Sequence, residues 1–553
     1  MMKFKNYLFY WHCEPSKAVA RTYSVILILI IAFGIINTKL LQLAMTPGLE
    51  NNNSSFISYY RKDIVDRNGS LIATSIPTYS LFAHPDLIYN KKQAATKLSK
   101  IIKAGGQKKL LNKLQSSHKF TWLARNLNPS QVQQVNELGI PGVDFDTSFK
   151  RIYSYGNLLS HILGYVSIDN KGLAGIERFF DNSLLSDHKN NNKHHPLQLS
   201  VDVGIQNIVS EELDSAIKEF NASGGVGVVV DPNNGEILSL VSKPDFNPHN
   251  PGKAKAKQLF NKSSLGVYEF GSVFKILTMA IAMETRAVKH LNQKYDISHL
   301  KVGKFEISDY TPSQGLHSVA EIFAKSSNKG TGKIALDIGQ ADFKKYLQKL
   351  KLDKKSFAEI PETTTPLLPN TKKWSDISTV TISYGYGIAT NVLNLIQSIL
   401  PTVNGGIFYP LTLVKQDSQV CGERIFSERT SKNIQHLLRL VVTNGTGRKA
   451  DVEGYLVGGK SGTANKAQGK QYNKNSRIAN FVSIFPYTNP KYLVYVMLDD
   501  PKPTKVHRTV TGGASAAIAT SKIISRIVAF QGILPYDDEK ELPSGGIKLT
   551  SLN

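Results

Sequence analysis

Residues 271–283 read Gly-Ser-Val-Phe-Lys-Ile-Leu-Thr-Met-Ala-Ile-Ala-Met. The run from Ser272 to Met283 is apolar on nearly every side of a helical projection. A helix of that kind belongs inside a domain, not on its surface. The neighbouring sequence says what surrounds it. Residues 225–230 are an apolar strand, Asp-Pro-Asn-Asn-Gly at 231–235 is strong turn chemistry, and 236–241 is the returning strand of an antiparallel hairpin. Residues 478–485 and 493–498 are further apolar strands. Strands at both ends of a module with helices between them imply an α+β fold around an antiparallel sheet, over residues 197–532.

The same helix holds the sharpest chemical signal. Ser272 and Lys275 are three residues apart, so they share one face. Ser272 lies in the first turn, where free N–H groups and the helix dipole favour negative charge. A serine needs a base to become a nucleophile, and a lysine in a dry pocket near another cation can serve as one. Ser-x-x-Lys alone is a weak signal, since Ser116/Lys119, Ser186/Lys189 and Ser326/Lys329 repeat it. Only at Ser272 does the pair open a helix that must be buried, where a charged lysine is costly without a role.

Two further pieces come later in the chain, in order. Ser318-Val319-Ala320-Glu321 is a capping box that starts a helix. That helix runs out at Lys325-Ser326-Ser327-Asn328-Lys329-Gly330, and helical pattern resumes from Lys333. Ser326 and Asn328 therefore sit at a turn between helices, where polar side chains can enter a cleft. Residues 457–464, Val-Gly-Gly-Lys-Ser-Gly-Thr-Ala, read as an edge strand whose glycines permit close backbone approach. Such a strand can pair with an extended peptide, while Lys460, Ser461 and Thr463, with Gly462 between them, hold a carboxylate.

Residues 454–461 also match the phosphate-binding pattern G-x-x-x-x-G-K-[ST], and 494–500 resemble its magnesium-holding strand and aspartate. That loop must open a helix whose N-terminus cradles phosphate. Residues 462–470 have no apolar periodicity, so nucleotide binding is disfavoured.

The rest of the 553 residues set the context. Residues 22–44 are long and apolar enough to cross a bilayer. Lys3, Lys5, Lys17 and Arg21 precede them against Glu14 alone, which predicts a cytoplasmic tail at 1–21 and export of the chain beyond the span. A cleaved signal peptide is the alternative, although Leu41-Gln42-Leu43-Ala44 is a poor cleavage site. Residues 45–196 mix short strands with helical stretches at 94–102 and 129–138. They end in a polar loop whose His188, His194 and His195 lack the acids or cysteines of a metal site. Residues 533–553 form a polar tail. Cys13 and Cys421 are the only cysteines, and they fall on opposite sides of the predicted membrane span, so no disulfide framework is expected. The net charge is +24, from 67 basic against 43 acidic residues. The excess is spread out, and no groove-reading motif accompanies it, so nucleic acid is not an expected partner.

Serine, then Ser-x-Asn, then Lys-Ser-Gly resembles the Ser-x-x-Lys, Ser-Asp-Asn, Lys-Thr-Gly set of penicillin-binding proteins and class A β-lactamases. The chain as a whole resembles class B penicillin-binding proteins. The carrying stretches are RKDIVDRNGSLIA (61–73), RIYSYG (151–156), HILGY (161–165), GLAGIER (172–178), YEFGSVFK (268–275), SYGYG (383–387) and Gly445-Thr446-Gly447. Ser326-Ser327-Asn328 and the length are similar to the division-specific type, penicillin-binding protein 3. Phe270, Lys62, Ser461, Lys329 and Ile518 depart from residues usual in the family.

The resemblance implies a β-lactamase-like transpeptidase fold on a non-catalytic pedestal. It implies a peptidoglycan D,D-transpeptidase of septal wall synthesis, acting on stem peptides without metal or cofactor and acylated by β-lactams. Ser272 would be the nucleophile and Lys275 its base. Ser326, Asn328 and Lys460 would complete the catalytic set, with Ser461, Gly462 and Thr463 binding substrate. Family members accompany division-machinery membrane proteins, including a polytopic glycosyltransferase. The expected location is the bacterial inner membrane, single-pass, with a periplasmic catalytic domain. An elongation-type enzyme, a carboxypeptidase or β-lactamase-like hydrolase, and an inactive division scaffold are the alternatives.

Overall fold

A computed structural model describes residues 17–45, 60–102, 105–186, 195–356, 358–369, 374–417, 420–468 and 471–536. Cys13, His188, His194 and the tail at 537–553 lie outside them. The chain divides into a unit at 1–58 and a unit at 59–553. In the first, Lys17–Met45 is one helix, α1. Its stretch Tyr23–Gln42 is, among the described residues, the one helix long and apolar enough to span a bilayer. That agrees with the span expected from sequence.

The second unit begins with a mixed sheet. Strands Ile64–Val65 (β1), Leu71–Ala83 (β2), Thr121–Leu127 (β3), Val143–Tyr153 (β4) and Leu197–Gln198 (β5) run in the order β3-β2-β1-β5, with β4 also paired to β2. Helices Lys91–Ile101 (α2), Gly106–Leu114 (α3) and Pro129–Asn136 (α4) pack on one end of it. Ala94, Ala95, Leu98, Leu110 and Leu114 face Leu81, Ala83, Leu123 and Leu127 in one apolar cluster. Leu81 and Ala83 enter that cluster two residues apart, as the two-residue period of a strand requires.

Three of the family-like stretches meet inside this pedestal. Glu177 and Arg61 are 0% exposed. Glu177 Oε2 accepts from Arg61 Nε at 2.9 Å, and Oε1 accepts from Arg151 Nε at 2.6 Å. Arg61 Nη1 also donates to Asp181 Oδ1 and to the Asn170 carbonyl. Two guanidinium groups thus share one buried carboxylate.

The catalytic-module sheet is antiparallel throughout. Strands Gly224–Val230 (β6), Ile237–Lys243 (β7), Gly458–Gln468 (β8), Gln471–Phe485 (β9) and Tyr492–Asp499 (β10) lie in the order β8-β9-β10-β6-β7. The hairpin read from 225–241 is present, and β8 is an edge strand. Helices Val203–Glu219 (α5) and Ala516–Phe530 (α8) cover one face, and Lys275–Glu284 (α6) and Glu428–Asn444 (α7) the other. Along β10, Leu493, Tyr495 and Met497 face α6, while Val494, Val496 and Leu498 face α5 and α8. A sheet covered on both faces explains why its strands read as unbroken apolar runs.

Two element boundaries differ from expectation. The helix expected from 272 opens as a 3-10 turn at Gly271–Phe274, and α6 proper starts at Lys275. Close backbone packing against the edge strand β8 tightens that turn. The helix expected from 333 starts at Asn328, because the Ser327 side chain caps it by accepting from the Gly330 N–H.

Candidate active site

The edge strand and the Ser272 turn touch through backbone. Gly271 has φ +58°, and a β-carbon on it would lie 2.6 Å from the Thr463 carbonyl oxygen. A β-carbon on Gly462 would lie 2.4 Å from the Phe270 carbonyl oxygen. Only glycine allows either approach. The expected close approach at the Lys-Ser-Gly strand is therefore real, and its partner is the turn that carries Ser272. Asn480 on β9 adds a hydrogen bond from Nδ2 to the same Phe270 carbonyl at 3.3 Å.

Ser272 is half-buried, while Lys275 and Lys460 are 0% exposed. The side chains of Lys275, Ser326, Asn328 and Lys460 converge. Lys275 Nζ donates to the Ser326 carbonyl at 2.6 Å, to Asn328 Oδ1 at 2.8 Å and to Ser326 Oγ at 3.2 Å. Lys460 Nζ reaches the same Ser326 Oγ at 2.9 Å and the Ser461 carbonyl at 3.1 Å. Ser326 is held at φ +61°, a conformation rare for a non-glycine residue and found at strained functional sites. The strain turns its carbonyl and hydroxyl toward both lysines. Among the described residues Ser272 Oγ makes no hydrogen bond, which leaves the hydroxyl free to turn to an incoming group or to Lys275.

Burial pushes the Lys275 ammonium well below the usual lysine range, the Lys460 charge pushes it further down, and Asp309 opposes both. Burial brings Lys460 down to about 7. Two ammonium groups beside one hydroxyl cannot both stay protonated cheaply, so one lysine is poised to be a base.

Ser461 and Thr463 lie on the opposite strand face from Lys460. Ser461 Oγ pairs with Thr446 Oγ1 at 2.8 Å, which gives Gly445-Thr446-Gly447 a place in the site. Thr463 Oγ1 accepts from the Gly512 N–H at 3.0 Å.

Two residues that sequence reasoning missed support the set. Asp309 accepts from Ser327 Oγ at 2.8 Å and from the Asn328 and Lys329 N–H groups, so it fixes the start of the helix Asn328–Ile338. Glu269 Oε1 accepts from the Gly387 N–H at 2.7 Å and Tyr472 Oη at 3.1 Å, and burial raises its carboxyl. Glu269 lies within the YEFGSVFK stretch, but nothing in that stretch shows that it reaches Gly387 and Tyr472, and Asp309 stands in no pattern that a single sequence reveals. Asp309 lies between the short strands Phe305–Glu306 and Leu316–Ser318, and its partners lie about twenty residues onward.

Two of the departures near the site, Phe270 and Lys329, point away from it. The Phe270 ring is 2% exposed and packs edge-on against Tyr268 and Tyr495 in the core. Lys329 is 8% exposed and donates to the Ser298 and Ser313 carbonyls at 3.1 and 2.6 Å, fastening the segment that bears Asp309. Removing that charged donor in Lys329→Met should cost about 1–3 kcal/mol in thermal unfolding. Ser272 should still acylate in the variant, because Lys329 does not face it. An unchanged melting curve would remove the fastening role.

Residues 458–468 form a strand, not a phosphate-cradling helix, so the nucleotide reading fails. No group of three or more metal-ligating side chains occurs among the described residues.

Known proteins share both modules. Residues 225–525 match the penicillin binding protein transpeptidase domain, and residues 57–189 match the penicillin-binding protein dimerisation domain. The chain is 33% identical over 485 residues to the probable peptidoglycan D,D-transpeptidase FtsI of Caulobacter vibrioides, covering 86% of this chain and 82% of that one. It is 32% identical over 517 residues to the probable peptidoglycan D,D-transpeptidase PenA of Neisseria gonorrhoeae, covering 89% and 87%. The peptidoglycan D,D-transpeptidase FtsI of Escherichia coli is 27% identical over 505 residues, covering 87% and 85%. Among solved structures, a peptidoglycan synthetase from Bifidobacterium adolescentis superimposes with TM-score 0.69 at 20% identity, over 89% of this chain and 98% of that one. That last likeness is one of fold.

Proposed function

The chain belongs to the class B penicillin-binding proteins, of the division type, and from that premise we propose how its own residues carry out the reaction. It is a peptidoglycan D,D-transpeptidase. One observation carries the assignment of roles: two fully buried lysines meet at Ser326 Oγ, while the turn that carries half-buried Ser272 packs on the strand that carries Lys460.

Ser272 Oγ attacks the carbonyl between the two terminal D-alanines of a donor stem peptide, and neutral Lys275 takes its proton. The Ser272 and Thr463 N–H groups stabilise the oxyanion, a contribution of about 3–4 kcal/mol per donor. The amide bond breaks and the leaving D-alanine amine receives a proton through Ser326 Oγ, which Lys460 and Lys275 both reach. Asn328 holds Lys275 and the donor peptide. Ser461 and Thr463 bind the terminal carboxylate, with Gly462 letting the peptide approach the strand, and Lys460 supplies positive potential. An amine from a neighbouring stem peptide then displaces Ser272 from the acyl carbon and forms the cross-link. A β-lactam acylates Ser272 at the first step and occupies it.

Topology fits the same function. Lys3, Lys5, Lys17 and Arg21 favour a cytoplasmic N-terminus, which puts the catalytic module in the periplasm. Partners among division membrane proteins, including a polytopic glycosyltransferase, are what family membership implies.

Product analysis tests the reaction. Incubation with uncross-linked peptidoglycan should yield cross-linked dimers. Shortened peptides alone would make the chain a hydrolase, and unreacted material without penicillin acylation would make it a scaffold.

The two lysines also predict a pH profile. Lys275 must be neutral, so acylation falls as pH drops through its depressed pKa. Lys460 must be charged, so acylation falls as pH rises through about 7. The kcat/KM for a penicillin should therefore be bell-shaped, since that ratio reports the free enzyme. A bound carboxylate raises Lys460, so the alkaline limb of kcat should lie higher. Lys460→Arg keeps its charge and should lose the limb near 7 while keeping the acid limb. Persistence of both limbs in that variant would remove Lys460 from the alkaline limb.

A further inference from the structure

Between residues 87 and 136 the chain has nine lysines and Arg125 and no aspartate or glutamate. Most of these lysines are on α2 and α3, the helices capping the pedestal sheet. Lys92, Thr96 and Lys100 follow one another at four-residue spacing along the side of α2 opposite the buried Leu98. On α3, Lys108 and Lys109 lie away from the buried Leu110 and Leu114. Gln107 Nε2 donates to Thr96 Oγ1 at 2.7 Å and ties the two helices side by side, so their lysines share one surface. Lys92, Lys97, Lys100, Lys108 and Lys109 are exposed, and among the described residues none of them is in an ion pair. An unpaired cation row of this kind repels itself and draws anionic partners toward it.

We propose that the outer face of α2 and α3 is a docking surface for an uncross-linked peptidoglycan strand, the donor polymer of the transpeptidase reaction. The inference rests on the transpeptidase function and adds a second place on the chain that holds the same substrate. Three observations select this occupant. The apolar faces of both helices are spent in the pedestal core, so no apolar side is left to enter a bilayer, as an interfacial helix requires. No groove-reading motif accompanies the lysines, so spaced carboxylates suit the surface better than a nucleic acid backbone. Gln93, Asn112 and Gln115 are exposed among the lysines and offer donors and acceptors to sugar hydroxyls and peptide amides.

The reaction itself makes the docking reversible. Each uncross-linked stem ends in a free carboxylate. Transpeptidation breaks the D-Ala–D-Ala amide, joins the new carbonyl to an acceptor amine, and releases that carboxylate with the departing D-alanine. A donor strand therefore loses negative charge as it is cross-linked, and the lysine face holds it less tightly. Two attachment points on one strand also raise the local concentration of stems at Ser272.

The test uses the full chain in nanodiscs of uncharged lipid, acylated with penicillin so that the catalytic cleft is occupied. Soluble uncross-linked strands, cross-linked fragments and anionic phospholipid vesicles are the probes. The expected result is binding of uncross-linked strands that weakens with salt. The dissociation constant should rise about tenfold or more in Lys92→Glu/Lys100→Glu/Lys108→Glu/Lys109→Glu. Arginine at the same four positions should preserve binding, and all variants should acylate with penicillin at the parent rate. Equal affinity of parent and glutamate variant, equal affinity for cross-linked fragments, or binding of vesicles instead of strands would each overturn the proposal. Loss of penicillin acylation in the parent would instead strike at the transpeptidase reading.

Discussion

Ser272→Ala loses covalent labelling by a fluorescent penicillin and all cross-linked product, a drop of about 10^4-fold or more in acylation. Ser272 combines partial exposure with a hydroxyl that makes no hydrogen bond among the described residues, and it lies one helical turn before Lys275. Ser326 Oγ is an alternative, but it already accepts from Lys460 and Lys275. The substitution deletes one oxygen from a half-buried position, so the fold should hold. A melting curve like the parent's, with no label on the gel, is the expected pair of results. Label retained in the alanine variant would transfer the nucleophile to another residue. Loss of labelling with a lowered melting point would be met by Ser272→Cys, which keeps the shape and should react with some acylating agents through its thiolate.

Glu177→Leu should be the most destabilising single change in the pedestal. The carboxylate is 0% exposed and accepts from Arg61 and Arg151, which are themselves buried. Leucine leaves two guanidinium groups out of water, with Asp181 as the remaining counter-charge for Arg61. Breaking a buried ionic cluster from one side costs about 3–5 kcal/mol, against a total stability of about 5–15 kcal/mol for a typical domain. Denaturant unfolding should show that loss, and the folded fraction should still acylate at the parent rate. Removing all three charges together, as Arg61→Met/Glu177→Leu/Arg151→Met, should recover much of it, because the penalty lies in the uncompensated charge. A single Glu177→Leu loss below about 1 kcal/mol would show that water reaches the cluster.

The catalytic module was legible because its signals are local. The turn at 231–235 and the apolar runs beside it arise from turn chemistry and strand period. The helix at 275–284 had to be buried because no face of it is polar, and a lysine inside it had to have a purpose. The Ser318 capping box was readable as written, and its reciprocal hydrogen bonds are present. The start of the next helix was set five residues late, since the Ser327 cap and the support from Asp309 depend on the fold around them. The 3-10 turn at Ser272 was likewise out of reach, because the backbone of Thr463, nearly two hundred residues away, presses against Gly271.

By itself the sequence determined the long apolar N-terminal helix, the α+β class, the order of the three motifs and the identity of the groups that meet. Those properties rest on period, composition and short-range spacing, which a linear chain expresses. Tertiary structure alone decided that Lys275 and Lys460 both reach Ser326 Oγ, and that Phe270 and Lys329 turn away from the cleft. It also decided that Asp309 and Glu269 support the site, and that Arg61, Arg151 and Glu177 share one buried cluster. Each is a contact between segments far apart in the chain. Burial and charge proximity exist only after folding, and they push the ammonium groups of Lys275 and Lys460 below the usual lysine range.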